Sequence, residues 1–484
     1  MQFSKGLLLS LAGVALAVSH VAASGQTLAH KGWVGSGITV EPWWTGAVLY
    51  QIDPASFEDT KGDGLGDLHG VTQKLDYLQS LSVDAIVLSP FQLQADFGRN
   101  NKGPALDPKY GTEEDLDHLI QEAGRRKIRV FVDLPLVPSR TTAEVVNIAR
   151  FWLSRGVAGL RLTSDVHSAS LLLPQIVERL RELRKLCGTF AGQRVVFWDV
   201  AEPVPHLTDL GGSSSRRSRH TVVSAVADGP QMVLDNHLVG MTVFDAGALR
   251  GALQLEASQP PADGSTPVPV TEATGHPRSF DRFGDGSSAV EMAKVMATVL
   301  LTSRGAPLLY DGQEIGTATT PAEASGAPPV DVATEDSDAA SLLNWYRKLS
   351  ALHHQNDALR VGSMDLIAES NPDIVAWVRR SRDSGSLTAP VVVVCNVTGR
   401  PLLVSVVADV RRVGVETSTT FMHTLASTAL TGSTAAPGSV AKEPVFGPVS
   451  MNAISLPPYG VYIGELPRPS GLESVPLPAG RRSR

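Results

Sequence analysis

The sequence predicts an α/β fold: a parallel eightfold β/α barrel followed by a smaller antiparallel β domain. Three observations carry this. Between about residues 43 and 361, short apolar runs alternate with longer stretches whose apolar residues recur at helical spacing. The short runs are apolar at nearly every position, as strands covered on both faces are. From about Met364 the helical stretches stop, and strand-like runs follow one another across turns. The number of strand–helix units in the first part fits a closed barrel better than an open sheet.

The elements follow in order. After a glycine-rich lead, "AVLYQI" (47–52) reads as the first strand, and "VTQKLDYLQSLSV" reads as a helix. "DAIVLSP" (84–90) is the second strand, "EEDLDHLIQEAGRRK" a helix and "IRVFVDLPL" (128–136) the third strand. "TAEVVNIARFWLSRG" leads into "VAGLRL", and "LLPQIVERLRELRKL" leads into "RVVFWDV" (194–200). "AVEMAKVMATVLLTSRG" leads into "APLLYDGQE", and "DAASLLNWYRKLSALHHQ" closes the barrel. In the second part "DIVAWVRRS", "APVVVVCNV" and "GVYIGEL" are strands, and the Ser/Thr-rich "TSTTFMHTLASTALTGSTAAPGS" reads as a loop. The boundaries are 43–361 for the barrel, 362–466 for the β domain and 467–484 for a flexible tail.

A chain of 484 residues is long enough for one large core and an accessory domain. A net charge of −7 leaves no electrostatic footprint for nucleic acid. The clusters "SSSRRSRH" and "GRRSR" are short and read as solvated loop and tail. The two cysteines, Cys187 and Cys395, have no metal-ligand spacing and read as two unpaired core thiols, with a single bridge between them as the alternative. "NVT" at 396–398 is a glycosylation sequon. The start, "MQFSKGLLLSLAGVALAVSHVAASGQ", has a lysine, an apolar stretch and small residues at Val21 and Ala23. That is the layout of a secretory signal peptide over 1–23, followed by a linker over 24–42. The rival is an uncleaved signal anchor, because Gly6 to Ser24 is near the ~20 residues of a membrane span. The chain is therefore expected to be secreted, or else anchored as a type II membrane protein. Membrane contact is expected only if the segment stays uncleaved.

"WWTGAVLYQIDPASFEDTKGDGLGDLHGV" resembles the opening of glycoside hydrolase family 13, the α-amylase and α-glucosidase family. "ADFGRN", "LDPKYGTEEDLDHLI", "RFGDG" and "LLTSRGAPLLYDGQEIG" resemble its later landmarks in the same order. The resemblance implies a (β/α)8 TIM barrel and a C-terminal β-sandwich. It also implies a loop domain after the third strand, here cut to about residues 91–112.

Retaining glycosidases use two carboxyl groups ~5–5.5 Å apart, one as nucleophile and one as acid/base. In the family the nucleophilic Asp follows an Arg by two residues at the end of the fourth strand. "GLRLTSDVH" (159–167) keeps Arg161 but has Thr163 at the nucleophile position. A threonine hydroxyl without an adjacent base is a poor nucleophile. Asp165 is the nearest carboxylate, past the strand end. The third-strand motif keeps Asp133 but has Val137 and Pro138 where the family has Asn-His. Counting back from Pro277 and Arg278 puts Gly275 at the transition-state-stabilising Asp, with His276 one position off. Arg99 and Asn100 replace the family's Tyr-Asp. Asp199 falls near the acid/base position, one methylene short, and a shifted alignment brings up Glu202; a strand-end carboxylate or helix cap explains Asp199 equally well. Arg161, Asp133 and Arg278 are the remaining substrate-binding positions.

"DTKGDGLGD" (59–67) resembles the family's calcium loop. Asp59, Asp63, Asp67 and the Leu65 carbonyl occupy ligand positions that suit Ca²⁺. Lys61 intrudes where the family has Asn or Asp, and its ammonium either weakens calcium or takes its place. No other cofactor is implied.

Two functions follow. One is a non-catalytic scaffold or binding protein, for a carbohydrate or a partner protein, a pseudoenzyme. Its losses are similar to those of the heavy chains of heteromeric amino-acid transporters, although this chain has no cysteine near its start. The other is a secreted α-glucosidase or α-amylase-type hydrolase with a displaced site.

Overall fold

The computed structural model describes residues 41–89, 106–137, 139–164, 166–200, 229–258, 265–273, 275–283, 287–319, 332–382, 388–415, 419–430 and 447–467. The signal segment, the linker up to residue 40, residues 90–105 and the tail beyond residue 467 lie outside these residues. The segment 91–112, expected as a loop domain after the third strand, instead precedes that strand (Arg129–Pro135), and only six residues separate the strand from the helix starting at Thr142. Among the described residues no helix is long and apolar enough to cross a membrane.

The eight parallel strands of the barrel are β1 (Leu49–Ile52), β2 (Ala85–Leu88), β3 (Arg129–Pro135), β4 (Gly159–Ser164), β5 (Val195–Val200), β6 (Met232–Asp235), β7 (Thr266–Pro269) and β8 (Leu308–Tyr310). They hydrogen-bond in the order β7-β6-β5-β4-β3-β2-β1-β8. Helices α1 (Leu68–Gln73), α2 (Glu113–Arg125), α3 (Thr142–Ser154), α4 (Val166–Gly188), α5 (Ala246–Ser258), α6 (Ala289–Thr302) and α7 (Leu342–Gln355) lie between and after the strands. Local chemistry starts several of them. Thr112 with Asp115, and Thr141 with Glu144, form reciprocal capping boxes that satisfy orphan N–H groups of α2 and α3.

Strand order leaves β7 and β8 at the ends of the ladder, and the sequence of β7 explains why. The N–H groups of Thr266 and Val270 donate toward β6, to the Gln231 and Asp235 carbonyls. The alternate positions, facing β8, are Pro267 and Pro269, which have no N–H to donate. Closure therefore uses an acceptor on β7: the Ala306 N–H reaches the Pro267 carbonyl at 2.9 Å. The same prolines, with the shortness of β6 and β7, keep both strands from standing out in the sequence.

The barrel interior is filled by Leu49, Ala85, Val87, Phe131, Val195, Phe197, Met232, Val268 and Leu308. Gly159 is dictated by this packing, because a Cβ there would lie 2.1 Å from the Phe131 ring. Trp43 packs edge-on against Phe131 and beneath the Arg129 guanidinium at the N-terminal end.

The second domain pairs six strands in the order β14-β13-β16-β11-β10-β9, with β12 and β15 as a separate ribbon. Their ranges are β9 Ser363–Ile367, β10 Ile374–Arg380, β11 Val391–Asn396, β12 Leu402–Val404, β13 Phe421–Ser427, β14 Val449–Ser450, β15 Ile454–Leu456 and β16 Val461–Glu465. Alternate residues explain the unbroken apolar run in β11. Val391, Val393 and Cys395 join the barrel's core, while Val392 and Val394 pack with the β12–β15 ribbon. Both faces are covered, so neither face can be polar. Arg379 on β10 is buried and donates to the Thr302 carbonyl at 2.6 Å and to the Ser303 carbonyl, tying the β domain to the C-terminal end of α6.

Two sequence readings change here. The Ser/Thr-rich segment is not loop throughout: Phe421–Ser427 is β13, because Met422, Thr424 and Ala426 alternate inward against exposed or half-buried neighbours. Asn396 of the sequon is fully buried, and its amide nitrogen donates to the Arg400 and Pro457 carbonyls, each at 2.7 Å. It is a turn-forming side chain, not an accessible acceptor. Cys187 and Cys395 are buried free thiols, as expected. Burial pushes Cys187 up to about 11 and Cys395 higher still, so neither is a reactive thiolate at neutral pH.

Candidate functional site at the barrel mouth

The strand ends of a β/α barrel place side chains at its C-terminal face, where active barrels carry their chemistry. Residues of one parity point inward along each strand. Here the inward set turns from apolar to polar near the mouth: Gln51 on β1, Asp133 on β3, Arg161 and Thr163 on β4, Asp199 on β5.

Register brings four of these together. Asp133 lies beside Arg161 across the β3–β4 ladder, and Thr163 beside Asp199 across β4–β5. Arg161 grips both Asp133 oxygens through Nε and one terminal nitrogen, each at 2.6 Å. Its other terminal nitrogen donates to Gln51 Oε1 at 2.7 Å and lies 3.5 Å from Asp199 Oδ2. Gln51 in turn donates to Ser89 Oγ at 3.0 Å. Burial raises the Asp133 carboxyl against the pull of Arg161; burial also pulls the Arg161 guanidinium down, but Asp133 and then Asp199 more than offset it and hold it raised. The guanidinium is thus charged and fully engaged.

Asp199 differs from Asp133. Its side chain keeps 18% exposure, and burial raises its carboxyl, opposed by Arg161 and assisted by Asp133. It is a carboxyl at the mouth with raised proton affinity and a solvent-facing edge. Thr163, next to it, is half-buried, and its carbonyl accepts from the Leu136 N–H at 2.8 Å. Asp165, Glu202, Pro138, Arg99 and Asn100 lie outside the described residues.

Gly275 is exposed with φ +80, and a Cβ there would meet open space. Arg278 does not join the Arg161 cluster. It stacks on Tyr310, forms an ion pair with Glu272 at 3.2 Å and donates to the Asp311 carbonyl.

That second cluster was missed by sequence reasoning. Glu272 is 4% exposed, and its Oε1 accepts from the Ser279 N–H at 3.0 Å. At the β1–β8 seam, Tyr50 donates to Glu314 at 2.9 Å and to Asp311 at 3.3 Å, and Tyr77 also donates to Glu314. Burial, reinforced by Glu314, pushes Asp311 up to about 8, while Arg278 opposes. The signal was the spacing in "YDGQE", two carboxyls three residues apart after a buried strand. At the end of β6 a further pair was missed: His237 meets Asp235 through Nδ1. His237 and the displaced His276 border a cavity of about 460 Å³ with Asn236, Met241, Val243 and Leu255. The lining does not include Asp133, Arg161, Thr163 or Asp199.

The residues expected to hold calcium do not fit it. Asp59 accepts the N–H groups of Lys61, Gly62 and Gly64 at 2.7–2.9 Å. Asp63 accepts from the Leu65 N–H at 3.0 Å. Asp67 accepts from the Thr60 hydroxyl on both oxygens and from the Gly70 N–H at 2.8 Å. The Lys61 ammonium stands 3.4 Å from Asp67 Oδ2. Among the described residues no group of three His, Cys, Asp or Glu side chains converges to hold a metal.

Residues 51–142 match the alpha-amylase catalytic domain family. That span ends before β4 and β5, which carry Arg161, Thr163 and Asp199. The chain is 50% identical over 97 residues to a probable alpha-glucosidase of Rhizobium meliloti (strain 1021), covering 19% of this chain and 18% of that protein. It is 50% identical over 95 residues to a trehalose-6-phosphate hydrolase of Escherichia coli (strain K12), 19% and 17% of the two chains. It is 40% identical over 118 residues to maltase A2 of Drosophila melanogaster, 24% and 20% of the two chains. The chain thus matches about a fifth of the length of these curated relatives. The fold is shared more widely. Trehalose-6-phosphate hydrolase of Bacillus licheniformis superposes with a TM-score of 0.68 at 18% identity, over 88% of this chain and 100% of that one. Trehalulose synthase MutB of Pseudomonas mesoacidophila MX-45 gives 0.66 at 19%, over 89% and 100%. Residues 51–142 are thus similar in sequence to the alpha-amylase catalytic domain family, and most of the chain shares the fold of these two solved structures.

Proposed function

We propose that this chain is a glycoside hydrolase family 13-like protein whose barrel mouth binds or scaffolds and does not hydrolyse. One observation carries the reading: the β4 end presents Thr163, not a carboxylate, beside Asp199. Hydrolysis with retention needs a carboxylate on one side of the anomeric carbon and a proton donor on the other. Asp133 does not serve as that carboxylate, because both its oxygens are held by Arg161. Acid/base help from Asp199 alone contributes ~10²–10⁴-fold, far short of enzymatic acceleration. The occupant is a carbohydrate or a partner protein, in the manner of the transporter heavy chains whose losses are similar. From the signal-peptide layout of the N-terminal segment we infer a location outside the cytoplasm, with the chain released if cleaved near Ala23 and anchored if not; N-terminal sequencing of the exported chain tests this and separates the two.

The second reading is an α-glucosidase or α-amylase-type hydrolase with a displaced site. The comparisons favour it over the first, because the similar proteins are alpha-glucosidases, trehalose-6-phosphate hydrolases and maltases. The raised, solvent-edged Asp199 carboxyl supports it too. Assay on maltose, isomaltose and a nitrophenyl α-glucoside separates the readings, using the unmodified chain, Asp199→Asn and Asp165→Asn. The binding reading expects no turnover above the Asp199→Asn background. Robust turnover lost in either variant establishes the hydrolase.

A further inference from the structure

We propose that the Lys61 ammonium is the resident cation of the 59–67 loop, so that this part of the barrel mouth is ordered without a metal ion. The loop folds on itself. Gly62 and Gly64 take left-handed φ values of 72 and 85, which turn the backbone so that successive N–H groups meet the Asp59 carboxylate. Asp67 is almost fully buried and caps α1 through the Gly70 N–H. A carboxylate in that position needs a counter-charge, and Lys61 supplies it from a half-exposed stem.

The ammonium has a second partner. Lys61 Nζ lies 3.5 Å from the Lys109 carbonyl, in the turn Pro108–Tyr110. It thereby bridges the segment after β1 to the segment after β2. A calcium ion binds through six to eight oxygen lone pairs at ~2.3–2.6 Å. Here both oxygens of Asp59 and Asp67 and one of Asp63 already accept backbone or hydroxyl hydrogens, and the ammonium adds a positive charge within contact of Asp67. The substitution at one position therefore exchanges a metal dependence for an internal ion pair. This inference is independent of whether the mouth hydrolyses a glycoside.

The test uses the full chain in three forms: unmodified, Lys61→Asn and Lys61→Met. Each is titrated with CaCl2 calorimetrically, melted in calcium and in EGTA, and followed by hydrogen exchange across 59–67. The unmodified chain is expected to give no binding heat and the same melting temperature in both buffers. Lys61→Asn, which removes the charge and adds an oxygen ligand, is expected to bind calcium at least about tenfold more tightly and to melt higher in calcium than in EGTA. Lys61→Met is expected to exchange faster across the loop, with no rescue by calcium. Calcium binding by the unmodified chain, no gain in Lys61→Asn, or unmodified exchange in Lys61→Met would each overturn the proposal.

Discussion

Arg161→Met should be among the most damaging single substitutions in the barrel, and the structure sets the size of the effect. Arg161 is 4% exposed and Asp133 1%, and two 2.6 Å hydrogen bonds join them. Removing the guanidinium leaves a carboxylate buried without its counter-charge, which costs ~3–5 kcal/mol. Replacing both partners by apolar groups removes the desolvation cost together with the attraction, so Asp133→Leu/Arg161→Met should lie much nearer the unmodified protein. Urea unfolding of the four proteins of the cycle measures this, as a coupling energy of ~2 kcal/mol or more. The pH dependence has a definite sign. In Arg161→Met the folded-state Asp133 is raised further above its unfolded value. The penalty should therefore be small in acid, where Asp133 is protonated in both states, and grow as pH rises. A cost under about 1 kcal/mol at neutral pH, or additivity in the cycle, would falsify the picture of a dry ion pair.

Four further outcomes follow from the same structure. Asp311, raised to about 8, should make the fold lose stability from the ordinary carboxylate range up to pH 8. The difference between the unmodified protein and Asp311→Asn should have a slope of at most ~1.4 kcal/mol per pH unit in that window; a flat difference contradicts the buried protonated acid. Gly159→Ala should cost ~1–3 kcal/mol in denaturant melts, because its Cβ meets Phe131, and Phe131→Leu should recover part of that. Arg379→Met should leave the Thr302 and Ser303 carbonyls without their charged donor, at ~1.5–3 kcal/mol per hydrogen bond. Limited proteolysis between the two domains should report it, and unchanged resistance counts against the joint. In a host that glycosylates exported proteins, peptide N-glycosidase F should release no glycan from Asn396; an occupied site would mean that this turn is not formed when the sugar is attached.

The barrel was legible in the sequence because its cause is local and repeated. Alternating apolar strands and amphipathic helices bury the same faces wherever they occur, and strands such as Ala85–Leu88 and Arg129–Pro135 announce themselves by composition. The opening motif up to about residue 142 carried the family likeness for the same reason, as contiguous residues in a fixed order. Where pairing partners lie far apart in the chain, the sequence was silent. Nothing local in "TPVPV" says that its prolines face β8, because that depends on which edge of the strand meets which neighbour. "FMHTLAS" looked like part of a Ser/Thr-rich loop until β16 paired with it. Asn396 carries the local sequon, but only the approach of Pro457, 61 residues away, buries its amide.

The same division runs through the site. Sequence alone determined which residues stand at the strand ends, Asp133, Arg161, Thr163 and Asp199, and that a lysine stands in the aspartate-rich loop. Tertiary structure decided their states. Arg161 is committed to Asp133 because the β3–β4 register sets them side by side. Asp199 keeps an 18% exposed side chain beside the half-buried Thr163, which the β4–β5 register sets next to it. Lys61 turns toward Asp67 because the glycine turns of its own loop bring it there. Glu272, Asp311 and Glu314 become one buried network with Arg278 only when β1, β7 and β8 close the ring. Residue identity is a property of the chain, but proton affinity and partnership depend on what the fold removes from water and what it places within hydrogen-bonding distance.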